Sequence, residues 1–146
     1  MRENLKILFS GRRKNRPLFS KKTFKHVVKH VSRENNKHIA SLQYVFMNDE
    51  ELLKINIAYL NHHTYTDIIT FDLSENKGVE GEIYISIDRI LENSIVYGVS
   101  DKEELLRVMF HGVLHLLGYK DKNTKDKLAM REAETYCINL YLEKET

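Results

Sequence analysis

The sequence predicts an α+β fold, a small mixed sheet of about four strands packed against helices, with one helix buried. Two observations carry this. Short runs rich in Ile, Val, Tyr and Phe alternate with stretches of helical periodicity through the middle of the chain, and helices close it. From Leu105 to Leu117 the apolar residues fall almost all round the helix, the pattern of a buried helix rather than an amphipathic one. A chain of 146 residues, 42% apolar and 30% charged, can bury a real core. No repeat, linker or low-complexity tract divides it, so residues 1–146 are expected to form one domain.

In chain order, Asn4 to Phe9 alternates as an early strand, and Gly11 to Pro17 is a basic loop. Ser20 is placed to cap a helix running to about Asn36, with Phe24, Val27, Val28 and Val31 facing the core. His38 to Met47 reads as a strand. Asn48 with Glu51 forms a capping box for a helix carrying Leu52, Leu53, Ile55, Ile57 and Leu60. Asn61 to Tyr65 is a loop. Asp67 to Leu73 and Val79 to Ile87 are strands that the Ser74 to Gly78 turn joins as a hairpin. Asp88 is expected to open a short helix ending near Gly98, and Ser100 with Glu103 to cap the buried helix. Thr124 to about Leu142 is the last helix.

Charge is unevenly spread. Met1 to His38 holds twelve Lys/Arg against two Asp/Glu, a net of +10, and the remainder holds eleven against nineteen, a net of −8, recovering +2. A basic first quarter on an acidic body points to an anionic partner, and Arg12, Arg13, Lys14 and Arg16, its densest cluster, are the candidate nucleic-acid contacts. The lone Cys137 excludes an intrachain disulfide and fits a reducing compartment. No apolar run approaches the length of a membrane span, and Met1 to Ser10 lacks the apolar core of a secretory signal, so a cytoplasmic protein is expected.

The chemistry concentrates in His111-Gly112-Val113-Leu114-His115-Leu116-Leu117-Gly118-Tyr119-Lys120-Asp121. Histidines four apart share one helical face. Gly118 suits a left-handed helix end, after which the chain can return Asp121 to the same point. Two imidazoles and a carboxylate make a three-ligand zinc site with the fourth position open. A buried imidazole must be satisfied, and two on one face with an acid just past the cap point to a shared partner rather than to two separate core histidines. His26 and His30 repeat the spacing, but they share a face with Lys22, Lys29 and Arg33 and read as solvated. His62 and His63 fall in a loop and are expected to be exposed.

Gly112 stands where HExxH proteases carry their general base, which argues against ordinary peptide hydrolysis and is expected to leave open space beside the metal. Phosphodiester hydrolysis suits a metal that generates hydroxide and polarises a phosphoryl oxygen, with the basic region holding the polyanion.

HGVLHLLGY, preceded by TDIITFDL and GEIYISI, resembles the YbeY family of bacterial rRNA maturation factors, also described as endoribonucleases. The likeness runs from about Ile39 to Leu140. It implies a single-strand-specific, metal-dependent RNase acting in small-subunit rRNA 3′-end maturation and ribosome quality control, and the donor set makes one Zn2+ per chain the expected ion. Its partners would be ribosomal RNA and the small ribosomal subunit. Two positions depart from the family pattern. The third metal histidine falls on Asp121 and the preceding aspartate on Lys120. A family arginine associated with activity falls on Leu60, so no cation stands there to stabilise a phosphorane-like transition state. The competing reading is a metal-stabilised RNA-binding ribosome assembly factor with little or no nuclease activity. The donor set alone also suits a non-haem iron oxygenase, which nothing else in the chain supports.

Overall fold

The structure, a computed structural model, describes residues 4–75 and 78–145. Its elements run β1 (Lys6–Gly11), α1 (Lys21–Glu34), β2 (Ile39–Met47), α2 (Asp49–Leu60), β3 (Ile68–Asp72), β4 (Val79–Ser86), α3 (Ile87–Tyr97), α4 (Asp101–Leu116) and α5 (Thr124–Glu145). The sheet has the order β1-β2-β4-β3. β1, β2 and β4 are mutually parallel, and β3 pairs antiparallel with β4 as an outer strand. The expected mixed four-stranded sheet and its hairpin are therefore present.

Local side-chain chemistry sets most helix starts. Ser20 accepts from Thr23 N, and Asn48 and Glu51 complete a reciprocal capping box. Ser100 accepts from Glu103 N at the head of α4. Three boundaries differ from the sequence reading. β1 lies two residues later, because Gly11 (φ +95°) still belongs to the ladder: a Cβ there would lie 2.1 Å from the Phe46 carbonyl oxygen. α3 is capped by Ser86, whose hydroxyl accepts from Arg89 N at 3.2 Å. Asp88 instead accepts from Asp49 N at 2.9 Å, a tertiary bond that ties α3 to α2. α5 continues past Leu142 to Glu145, where Lys102 and the Tyr141 hydroxyl engage the Glu145 carboxylate.

The core lies between the sheet and the α1–α4–α5 layer. Phe24, Val27, Val28 and Val31 are all buried, as their spacing requires. Tyr44, fully buried on β2, donates its hydroxyl to the Met109 carbonyl at 2.8 Å, and the Phe24 and Phe110 rings stack at 4.8 Å. α2 is different: of its expected apolar residues only Leu52 is buried, and Ile57 and Leu60 are exposed.

Two glycines set how closely α4 approaches the sheet. A Cβ on Gly81 would lie 2.5 Å from Leu116 Cδ1, and one on Gly112 would lie 3.0 Å from Ile83 Cδ1 and 3.1 Å from Ile68 Cδ1. Gly112 therefore does not leave room beside a metal, as the sequence suggested. Its missing side chain is the space that β3 and β4 fill. Among the described residues, no helix is long and apolar enough to cross a membrane.

Candidate metal centre

The site is built on one face of α4. Glu104, Arg107, His111 and His115 follow one another at spacings of three and four, so they line one side of an otherwise buried helix. The helix ends in a Schellman motif: Tyr119 N donates to the Leu114 carbonyl at 2.9 Å, Gly118 N to the His115 carbonyl at 3.0 Å, and Gly118 takes φ +107°. This turn reverses the chain and returns Asp121 to the helix face, as the glycine at 118 anticipated.

Asp121 Oδ2 stands 3.5 Å from His111 Nε2 and 3.4 Å from His115 Nε2. The three potential ligand atoms lie within 4.8 Å of one another. Tetrahedral zinc with bonds near 2.0–2.1 Å separates its ligand atoms by roughly 3.3–3.5 Å, so the carboxylate is spaced from both imidazoles as a shared ion requires. The far side of each ring is fixed. His111 Nδ1 donates to Glu134 Oε2 at 2.6 Å, and His115 Nδ1 donates to the Tyr119 carbonyl at 3.0 Å. Neither acceptor can donate, so both protons sit on Nδ1 and both Nε2 lone pairs face Asp121. The donor set thus fits a divalent ion by atom type, spacing and tautomer.

Glu134 is 5% exposed, and its other oxygen accepts from Arg107 Nη1 at 3.2 Å. Burial alone would lower the His111 pKa, but Glu134, Asp121 and Asp67 outweigh it and raise it from the ordinary histidine value. Asp67, beside His111, is pushed up chiefly by burial. Glu104 is pushed up to about 7, first by burial and then by Asp67.

Two cavities open on this centre and share Asp67, Ile68, His111 and Asp121. The larger, about 510 Å³, runs along the outer edge of β3 past Leu60, Thr70, Asp72, His115 and Leu116. The smaller, about 280 Å³, extends over Tyr97, Glu104, Arg107, Arg131 and Glu134.

His111, His115 and Asp121 are thus brought together. Arg12, Arg13, Lys14 and Arg16 line neither cavity. They follow β1 at the opposite edge of the sheet, where Arg16 lies over the Phe46 ring at 4.6 Å. Gly11, Phe46, Ile85 and Ile68 are in register across the strands, so the basic loop and the cleft share one end of the sheet, three strand spacings or roughly 14 Å apart. His26, His30, His62 and His63 are exposed, and none lines the cleft. Sequence reasoning missed Glu104, Arg107 and Glu134. The first two were visible as charged residues on the histidine face of a buried helix. Glu134 carries no local signal, since it reaches His111 only through the packing of α5 on α4.

Comparison with known proteins shows which family this chain resembles. A family profile described as Endoribonuclease YbeY matches residues 11–141. A protein of that description from Cytophaga hutchinsonii is 49% identical over 111 residues, covering 75% of this chain and 78% of its own. One from Flavobacterium psychrophilum is 47% identical over 114 residues, covering 78% and 81%. The solution structure of TM1509 from Thermotoga maritima superposes with a TM-score of 0.66 at 25% identity, over 97% of this chain and 91% of that one.

Proposed function

The chain belongs to the endoribonuclease YbeY family, and we propose that it is a metal-dependent hydrolase of single-stranded RNA, acting on ribosomal RNA in small-subunit 3′-end maturation and ribosome quality control. Its setting in this proposal is the cytoplasm, and its partner is the small ribosomal subunit. One Zn2+ per chain would be held by His111 Nε2, His115 Nε2 and Asp121 Oδ2. When bound, such an ion lowers the pKa of a water and polarises a phosphoryl oxygen.

The observation that carries the reading is the orientation of the two imidazoles. Glu134 and the Tyr119 carbonyl hold both Nδ1 protons, so both lone pairs meet at a point open to two cavities. A site with free approach on two sides suits a chain-like substrate passing across it. The remaining residues then have separable tasks. Arg107 neutralises Glu134 and fixes its angle. Glu104, at about 7, keeps a proton available on the smaller-cavity side near neutrality. Thr66 and Thr70 offer hydroxyls on the other side.

One observation favours the assembly-factor reading. The larger cavity is lined by Asp67, Asp72 and Asp121 with no Lys or Arg, and Leu60 occupies the place of the family arginine. RNA cleavage by Zn2+-loaded wild type beside His115→Ala, purified identically, decides between the two. Cutting by wild type alone is expected. Equal cutting by both, or RNA binding without cutting by wild type, would favour the assembly factor.

A further inference from the structure

A polyanion crossing this centre needs positive charge beside it, and the Leu60 side supplies none. The smaller cavity holds two guanidiniums. That of Arg107 is engaged, donating to Glu134 Oε1 at 3.2 Å and to Thr135 Oγ1 at 3.3 Å. Arg131, one turn before Glu134 on α5, is exposed, and among the described residues it makes no hydrogen bond or ion pair. Its charge bears on Glu104 at the cavity wall. A free planar fork can take two oxygens of one phosphate at once.

The same cavity is lined by Tyr97, the last residue of α3, which is 59% exposed. Gly98 ends the helix immediately after it in a left-handed conformation (φ +68°). An exposed aromatic ring beside a free arginine, both opening on the metal ligands, is the combination that binds a nucleotide by its base and its phosphate without reading sequence. Four carboxylates line this cavity, Asp67, Glu104, Asp121 and Glu134; Asp121 belongs to the metal donor set, and burial pushes the Asp67 carboxyl up. Glu134 is paired with Arg107 and accepts from His111 Nδ1, and Glu104 is pushed up to about 7, so its charge is only partial near neutrality.

We propose that Arg131 and Tyr97 form a nucleotide subsite beside the metal centre, Arg131 holding the phosphate next to the scissile one and Tyr97 stacking on the adjoining base. This rests on the RNA-hydrolase reading and deepens it: the substrate is anchored on the α3–α5 side, and Arg131 supplies the cation that Leu60 does not.

The test uses the full Zn2+-loaded chain and a single-stranded RNA oligonucleotide whose cut position has been mapped. A second oligonucleotide is abasic at the nucleotide adjoining the cut. Arg131→Ala is expected to lower kcat/KM by about tenfold or more and to flatten the dependence of log Kd on log salt by about 0.7, as follows when one phosphate of a single strand is no longer neutralised. Arg131→Lys restores the slope. Tyr97→Leu is expected to weaken binding by about tenfold and to erase the difference between intact and abasic RNA, whereas Tyr97→Phe, which keeps the ring, keeps that difference. An unchanged salt slope in Arg131→Ala, or a Tyr97→Leu protein that still distinguishes the abasic strand, overturns the subsite. His115→Ala separates the two levels. If it cuts as wild type does, the RNA-hydrolase reading falls and the subsite with it. If it is silent while Arg131→Ala and Tyr97→Leu behave as wild type, the subsite alone falls.

Discussion

Glu134 Oε2 and His111 Nδ1 meet at 2.6 Å across 23 residues of sequence, and the carboxylate is held from behind by Arg107. Outer partners of this kind typically contribute tenfold to a hundredfold in metal affinity. Glu134→Ala is therefore expected to weaken Zn2+ binding by about 10–100-fold, measured by competition with a chromophoric chelator. Glu134→Gln should weaken it less, since an amide oxygen still accepts from Nδ1. Equal affinity in all three proteins would mean that the Glu134–His111 bond does not orient the ligand.

Asp121 is placed symmetrically between the two Nε2 atoms. His111→Ala and His115→Ala should each lose bound Zn2+, since two ligands hold it poorly. Asp121→His should retain it, because a third imidazole can reach the same point from the turn. Metal content of the purified proteins by mass spectrometry provides the check, and loss of metal from Asp121→His alone would remove residue 121 from the ligand set.

Glu104 gives a pH signature in the metal-free protein. Its folded-state value of about 7 lies above the ordinary 4.5, so the folded state binds this proton more tightly than the unfolded one. The sign follows: Glu104 costs nothing below the unfolded value, costs progressively more as pH rises, and reaches its full cost above about 7. Glu104→Gln should match wild type in stability near pH 4 and exceed it by about 3 kcal/mol near pH 8. Urea unfolding at the two pH values measures this, and parallel curves would show that Glu104 ionises freely.

Gly112 faces the sheet, and Gly112→Ala places a methyl 3.0 Å from Ile83 Cδ1. Overpacking of this kind costs about 1–3 kcal/mol, against about 1 kcal/mol gained in helix propensity. A net loss of about 1 kcal/mol is expected, reduced when Ile83→Val removes the opposing atom. Thermal unfolding of the single and double variants decides it.

The basic loop lies apart from the cleft, so any phosphate it holds lies outside both cavities. Neutralising Arg12, Arg13, Lys14 and Arg16 together should weaken RNA binding and flatten its salt dependence, by about 0.7 for each phosphate left without its cation. Turnover at saturating RNA should be preserved, since these residues line neither cavity. An unchanged salt slope would show that the loop touches no phosphate.

What could be read from the sequence follows the range of each interaction. The Ser20 and Asn48 caps act over three residues, and the structure has both. His111, His115 and Asp121 span eleven residues of helix and turn, so periodicity and one glycine were enough to bring them together. Asp88 looked like a cap because its competing partner, Asp49 N, lies in another helix. Gly112 looked like open space because Ile83 and Ile68, which fill it, come from strands far away in the chain. The order β1-β2-β4-β3, which puts β3 on the outside where its edge forms a wall of the cleft, depends on β4 pairing parallel with β2, and no local pattern encodes that.

The two bonds that set the imidazole tautomers also set a clock. His115 is oriented by a carbonyl that exists in place only once the helix end is complete, and His111 by a carboxylate delivered by the docking of the last helix. Before that docking, the nascent chain offers two freely rotating imidazoles and a flexible acid, a poor competitor for scarce ions. On the proposed metal-dependent reading, full affinity for the ion would therefore arise only with that docking, and the ion taken would be one available where the chain finishes folding.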